Sequence, residues 1–224
     1  MIFTIRLILR HALPQPTICD VGGGVTLLSV GFAALGYDAM LIDDFGDTWH
    51  GQSAEGALSL HSRYGVKIAS ADVVEQGVKL EPESLDVVTC FNTMEHFHNS
   101  PKRLFHQLAA ALRPGGIFLV AAGNRVNLRK RVMVPFGGAP WSKMADWYEP
   151  DVFRGHVREP DVPDLRYICR DLGLEVVDVV GRNWQGVKHT KPLRRTVARV
   201  ADHALRLFPS LCSDPYIVGR KPLK

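Results

Sequence analysis

The feature that most constrains this chain is an alternation. Short apolar runs at Thr17–Val21, Ala39–Ile42, Val66–Ala69, Leu85–Phe91 and Ile117–Ala121 are separated by segments with helical spacing. A strand with one face in water alternates apolar and polar residues, whereas a strand covered on both faces reads as a nearly continuous apolar run. The intervening segments Leu27–Leu35, Ala54–Tyr64 and Lys102–Leu112 read as helices, the last with apolar residues at 104, 105, 108 and 112. Gly36 and Gly65 terminate the first two, and Arg113-Pro114-Gly115-Gly116 breaks the third. Strands spaced by helices predict a doubly wound α/β unit with a mostly parallel sheet. Ligands of such sheets lie outside the carboxyl ends of the strands. The residues just past those ends are Gly22, Gly23 and Gly24, then Asp43 and Asp44, then Asp72 and Val73, and finally Asn92 to His96.

The 224 residues suit one domain rather than two. A net charge of +4 is mild and does not by itself imply nucleic acid. Cys19, Cys90, Cys169 and Cys212 form no CxxC pair and no zinc-finger spacing with histidine, so neither a disulfide framework, a structural zinc site nor any other metal site is expected. A reducing cytoplasm fits that usage. No stretch approaches the ~18 apolar residues of a membrane span. The segment Met1–Leu13 is apolar but interrupted by Arg6 and Arg10, and reads as an amphipathic helix packed on the domain. It is also compatible with peripheral contact at a membrane surface.

Asp20-Val21-Gly22-Gly23-Gly24 follows a strand and opens a helix. Glycines there let the chain turn tightly and let a ligand approach the backbone. A dinucleotide fold places a third glycine where Leu27 stands, and a P-loop needs Gly-Lys-Ser/Thr, which is absent. A nucleoside ligand without a pyrophosphate remains. Asp43, roughly 20 residues on, can accept both hydroxyl protons of a ribose, with Asp44 competing for the role. Asp72 can accept from an adenine amino group, and Asp20 can hold the ammonium of an amino-acid tail. As alternatives, Asp43 and Asp44 are turn or capping residues.

The order of these motifs resembles class I S-adenosylmethionine-dependent methyltransferases. Ile18-Cys19-Asp20-Val21-Gly22-Gly23-Gly24 is similar to their first motif, and Asp43 to their acidic residue after the second strand. Ser70-Ala71-Asp72-Val73 is similar to the adenine-binding segment, Asn92-Thr93-Met94-Glu95-His96-Phe97 to the stretch after strand 4, and Leu112-Arg113-Pro114-Gly115-Gly116 to the turn before strand 5. The likeness covers roughly residues 17 to 123. It departs from the pattern at Thr26, where a third glycine is common, and at the bulky Val25. It implies a Rossmann-like seven-stranded sheet whose last strand, near Tyr216–Val218, runs antiparallel. It also implies S-adenosyl-L-methionine as cofactor, bound by Asp20, Gly22, Gly23, Gly24, Asp43, Asp44, Asp72, Val73 and Asn92. Asn124–Lys130 and Phe153–Glu159 resemble a bacterial subgroup that accompanies cell-surface sugar and natural-product pathways.

The expected organisation is one domain over 1–224: an N-terminal helix in 1–16, a cofactor core in 17–123, an acceptor-side insertion or lid in 124–163, and the remainder of the sheet in 164–224. This last part holds a helix at Asp164–Leu172, a strand at Leu174–Val180 and an amphipathic helix at Leu193–Phe208. The insertion concentrates Trp141, Trp147 and Tyr148, which either wall an acceptor pocket or anchor the segment to the sheet. Methyl transfer to a hydroxyl benefits from a general base near neutral pKa, so His96, His98 and His156 are candidates. His96 ranks first because it follows strand 4, with His156 and Arg158 expected to reach over the site. Basic residues at Arg125–Arg131 and from Lys188 to Arg206 are either solvated faces or a match for an anionic acceptor or membrane. The expected activity is methyl transfer to a small-molecule or glycan acceptor at oxygen. The alternatives are a nucleic-acid methyltransferase, disfavoured because Asn92-Thr93-Met94-Glu95 is not an N-P-P-Y type motif, and a silent binding protein of the same fold. The sequence leaves oligomeric state open.

Overall fold

The computed structural model describes residues 1–45, 51–183, 196, 200 and 202–223. Seven strands form one sheet: β1 (Ile18–Val21), β2 (Ala39–Asp43), β3 (Lys67–Ser70), β4 (Leu85–Phe91), β5 (Leu112–Ala121), β6 (Glu175–Arg182) and β7 (Asp214–Arg220). Their order is β3-β2-β1-β4-β5-β7-β6. The pairings β1–β2, β1–β4, β2–β3 and β4–β5 are parallel. β7 is antiparallel to both neighbours, with Leu119 opposite Val218 on one side and Asp178 opposite Val218 on the other. The last strand of the chain is therefore inserted between β5 and β6. The doubly wound, mostly parallel, Rossmann-like sheet expected from the sequence is the fold observed.

Among the described residues, the helices that frame the sheet are α1 (Ile2–His11), α2 (Leu28–Ala34), α3 (Gly51–Arg63), α4 (Lys102–Ala111), α5 (Leu128–Met133), α6 (Met144–Tyr148) and α7 (Val162–Asp171). The central strands feed two cores at once. Ile18, Val87, Ile117 and Leu119 pack with Leu7 and Ile8 of α1 and Phe32 of α2. Their strand neighbours Cys19, Val88, Phe118 and Val120 pack with Leu104, Phe105 and Leu108 of α4 and with Leu165 and Cys169 of α7. Both parities of each strand are thus apolar, the physical source of the continuous runs in the sequence. Each such Leu, Ile or Phe contributes about 1.5–3 kcal/mol of burial. All four cysteines are free and buried.

Three local expectations change. The Arg-Pro-Gly-Gly turn does not separate helix from strand. β5 starts at Leu112, pairs with Leu85, and then shifts register so that Val87 faces Ile117. Gly115, at φ +80°, makes this bulge possible, and its N–H donates to Lys221 O at 2.9 Å. The insertion is less irregular than it reads, because α5 and α6 lie within it. Asn127 caps α5 by accepting from Lys130 N. α7 begins two residues early, since Asp161 and Asp164 form a reciprocal capping box with Pro163 in the first turn. The helix expected at Leu193–Phe208 lies partly outside the described residues; within them, 196, 200 and 202–205 are helical. No helix among the described residues is long and apolar enough to cross a membrane.

Candidate active site

The carboxyl ends of β1, β2, β3 and β4 open on a cavity of about 870 Å³. Gly22, Gly23, Gly24, Asp20, Asp43, Asp44, Asp72, Val73 and Asn92 all line it. The sheet order explains the convergence. Reversal between β1 and β4 leaves a crevice at that edge, and the four turns meet around it.

Gly22 and Gly23 have distinct reasons. Gly22 adopts φ +68°, and a Cβ there would stand 1.9 Å from Thr93 Cγ2. The bare backbone lets Thr93 Oγ1 sit 2.9 Å from Gly22 O, which ties the glycine turn to the turn after β4. A Cβ on Gly23 would stand 2.4 Å from Asp20 Oδ2, so the carboxylate lies directly beneath the loop.

Asp20 is the most unusual group in this wall. It is 2% exposed; Oδ1 accepts from Thr89 Oγ1 at 2.6 Å. Oδ2 is buried without a hydrogen-bond partner. Burial pushes its pKa up to about 7, the Thr89 hydrogen bond opposes this, and the nearby Asp43 charge adds to it. A buried carboxylate oxygen with open valence suits a cationic ligand group.

Asp43 is both a candidate ligand group and a clamp. Its Oδ2 accepts from Gly24 N at 2.8 Å and its Oδ1 from Phe45 N at 2.7 Å. Asp72 Oδ1 accepts from Val74 N and Glu75 N, the turn-capping arrangement, while the residue still lines the cavity. Asn92 holds φ +50°, and its N–H donates to Ala121 O at 2.8 Å.

The opposite wall comes from the turn after β4 and from the insertion. His96 lines the cavity, and its Nδ1 lies 3.0 Å from Arg154 O. A carbonyl only accepts, so Nδ1 carries a proton, and in the neutral form of such a ring Nε2 is the basic atom. His98 also lines the cavity, with Nε2 3.2 Å from Phe153 O. The insertion thus reaches the cavity through Val152, Phe153 and Arg154.

His156 and Arg158, expected to reach over the site, are not in that wall. His156 stands behind His96, with ring centroids 4.9 Å apart at 90°. Its Nδ1 is 2.8 Å from Glu159 Oε1, and Glu159 is paired with Lys130. The hydrogen bond to Glu159 raises the His156 pKa. Burial pushes Glu159 upward, but the hydrogen bonds from His156 and Lys130 outweigh it and the net shift is down. Arg158 meets the turn through its backbone: Val157 N and Arg158 N donate to Glu95 O at 2.7 and 3.3 Å. Trp141, Trp147 and Tyr148 are 83%, 58% and 73% exposed and neither line the cavity nor anchor to the sheet.

Several contributors escaped the sequence reading. Glu95 is fully buried, and its Oε1 accepts from Gly123 N at 3.1 Å. Burial raises its pKa. Lys130, read as part of a basic run, is buried against Glu159. Together Glu95, His96 and His156 bring three potential metal donors within 4.8 Å of one another, from positions with no ligand spacing in sequence. Met1, Thr4 of α1 and Tyr216 of β7 close the remaining side of the cavity. Only the return of both chain ends to the sheet could reveal them.

This sheet order, with a glycine turn and a row of carboxylates at its carboxyl edge, is the architecture of Rossmann-like methyltransferases. Residues 4–179 match the family model of the methyltransferase domain, and the chain belongs to that family. The chain is 29% identical over 174 residues to a ubiquinone biosynthesis O-methyltransferase of Burkholderia thailandensis, covering 76% of this chain and 70% of the relative. The fold is shared with a S-adenosylmethionine-dependent methyltransferase of Methanosarcina mazei at a TM-score of 0.63 and 14% identity, covering 97% and 98% of the two chains. It is shared likewise with one from Archaeoglobus fulgidus, at a TM-score of 0.61 and 14% identity, covering 98% and 92%. The chain is therefore a methyltransferase, with S-adenosylmethionine as its cofactor.

Proposed function

We propose that the chain transfers a methyl group from S-adenosylmethionine to a hydroxyl oxygen of a small-molecule or glycan acceptor. The observation that carries this reading is the division of the cavity into two walls. One is built of Gly22–Gly24 and the carboxylates Asp20, Asp43, Asp44 and Asp72; the other presents His96 and His98 with Phe91, Phe153 and Tyr216. The relatives named O-methyltransferases support oxygen as the receiving atom.

On the first wall the residues fit the cofactor. Asp20 Oδ2, buried and lacking a partner, holds the amino-acid ammonium. Asp43, and Asp44 beside it, hold the ribose hydroxyls, and Asp72 with Val73 borders the adenine. Gly22 to Gly24 and Asn92 give backbone approach. The bound cofactor supplies an electrophilic methyl group on a sulfonium. The protein contributes placement of the acceptor oxygen in line and exclusion of water. His96 Nε2 takes the hydroxyl proton, because its Nδ1 is held by Arg154 O. His156 acts through His96 rather than on the acceptor, and Arg158 helps fasten the insertion. Residues 124–163 form the acceptor-side cover, within a single domain spanning 1–224.

The test is methyl transfer from labelled S-adenosylmethionine to a panel of phenols, carbohydrates and amines. Transfer to hydroxyls that falls at least tenfold in His96→Ala, with S-adenosylhomocysteine affinity retained, is the expected result. Methylation confined to amines or nucleic acid, or binding with no transfer to any acceptor, would overturn it.

A further inference from the structure

A second cavity, of about 440 Å³, lies on the far side of α1 from the methyl-transfer site. Four guanidiniums line it: Arg6 and Arg10 of α1, Arg182 at the end of β6, and Arg206. Arg6 and Arg10 are one helical turn apart on the same stripe, where like charges repel. Neither forms an ion pair among the described residues. Arg206 is paired with Asp202, whose other oxygen accepts from Asn183 at 3.1 Å. Arg206 Nε is buried without a hydrogen-bond partner. Burial, and after it the charge of Arg206, lowers the pKa of Arg182. Asp202 offsets the charge of Arg206 and acts on Arg182 as well, so Arg6 and Arg10 are the two cations that gain most from an anion entering the concavity.

The cluster is also preorganised. Arg182 Cζ sits 3.8 Å above the Phe3 ring, a cation–π contact. Phe3 is held edge-on by Tyr216, with centroids 5.4 Å apart. A guanidinium fixed on an aromatic face loses little freedom when it binds, and its planar fork matches phosphate oxygens. The rest of the wall is apolar, from Ile2, Phe3, Leu7 and Val180. The volume exceeds what a bare phosphate needs.

We propose that this cavity binds a phosphate group carried on an apolar body, held by Arg6, Arg10, Arg182 and Arg206. The phosphate belongs either to a soluble phosphate ester or to the headgroup of an anionic lipid, and the two sources share the same guanidinium contacts. The site stands apart from the cofactor wall, so its occupancy is independent of the reading given above for methyl transfer.

Calorimetric titration of the full chain with phenyl phosphate and with inorganic phosphate tests the site, alongside sedimentation with phosphatidylglycerol and phosphatidylcholine vesicles. Saturable binding of phenyl phosphate, tighter than inorganic phosphate, identifies the soluble source. Binding to phosphatidylglycerol vesicles without phenyl phosphate binding identifies the lipid. Either should weaken about tenfold or more in Arg182→Gln and in the double variant Arg6→Ala, Arg10→Ala, whose side chains lie on the outer face of α1. Either should also weaken steeply with salt. No binding of any of these probes, binding that the variants leave unchanged, or equal binding to phosphatidylcholine vesicles would overturn the proposal. S-adenosylhomocysteine affinity, measured in parallel, reports the cofactor wall separately.

Discussion

Asp20 makes two pH-dependent statements testable. Its folded pKa, about 7, stands above the ordinary 3.8. The folded state therefore holds this proton more tightly than the unfolded chain. The resulting stability is fully present below about pH 4 and is lost as pH rises through about 7. Thermal unfolding of the free protein should show this loss between those limits, and Asp20→Asn should flatten it. Cofactor binding should run the other way, because the ammonium needs an ionised partner: S-adenosylhomocysteine affinity is expected to rise as pH passes 7 and then level off. An affinity that ignores pH in this range would remove Asp20 from the cofactor. Asp43 carries a second prediction. Asp43→Ala should weaken cofactor binding at least tenfold, and more than Asp44→Ala does, since charge-assisted hydrogen bonds are worth about 1.5–3 kcal/mol. Because Asp43 also fixes Gly24 N and Phe45 N, part of that loss is loop order. Asp43→Asn keeps one acceptor oxygen and should lie between the two, read by calorimetry.

At the scale of elements, the glycine turn and the turn after β4 interlock. Gly22→Ala would force a Cβ into Thr93 and hold alanine at φ +68°. Overpacking and positive-φ strain each cost about 1–3 kcal/mol. We expect a fall in melting temperature together with loss of cofactor binding, and partial rescue by Thr93→Ser, which removes the methyl group in the way. No change in either measurement would mean that the loop shifts freely. This interlock explains why the motif was legible in sequence: glycine is demanded by a contact that no other residue type permits. The insertion was legible as a long segment between β5 and α7 but not in detail. His156 and Arg158 looked like site residues because they lie among loop residues of the right chemistry. In the fold, Val157 N and Arg158 N dock on Glu95 O, and this register turns residues 152–154 to the cavity instead.

At the scale of the whole molecule, α1 matters out of proportion to its length. Leu7 and Ile8 are buried in the core on its side of the sheet, while Met1 and Thr4 close the large cavity and Arg6 and Arg10 border the small one. Ile8→Ala should destabilise the chain by about 2–5 kcal/mol, read by chemical denaturation. Arg6→Ala, on the exposed face, should change stability by less than about 0.5 kcal/mol. A small effect of Ile8→Ala would show that α1 is a loosely held flap rather than part of the core.

Sequence alone determined the strand–helix alternation, the doubly wound class, and the residues at the carboxyl edge, because local periodicity and glycine chemistry are written in neighbouring positions. It determined Leu85–Phe91 to the residue, since a strand buried on both faces leaves an unbroken apolar run. Tertiary structure alone decided the rest. The Leu-Arg-Pro-Gly-Gly bulge depends on Lys221, more than a hundred residues away. The burial of Lys130 depends on Glu159, and the gathering of four arginines depends on α1 meeting the end of β6. Those arrangements join groups distant in sequence, and the free energy of joining them comes from long-range packing that no local pattern encodes.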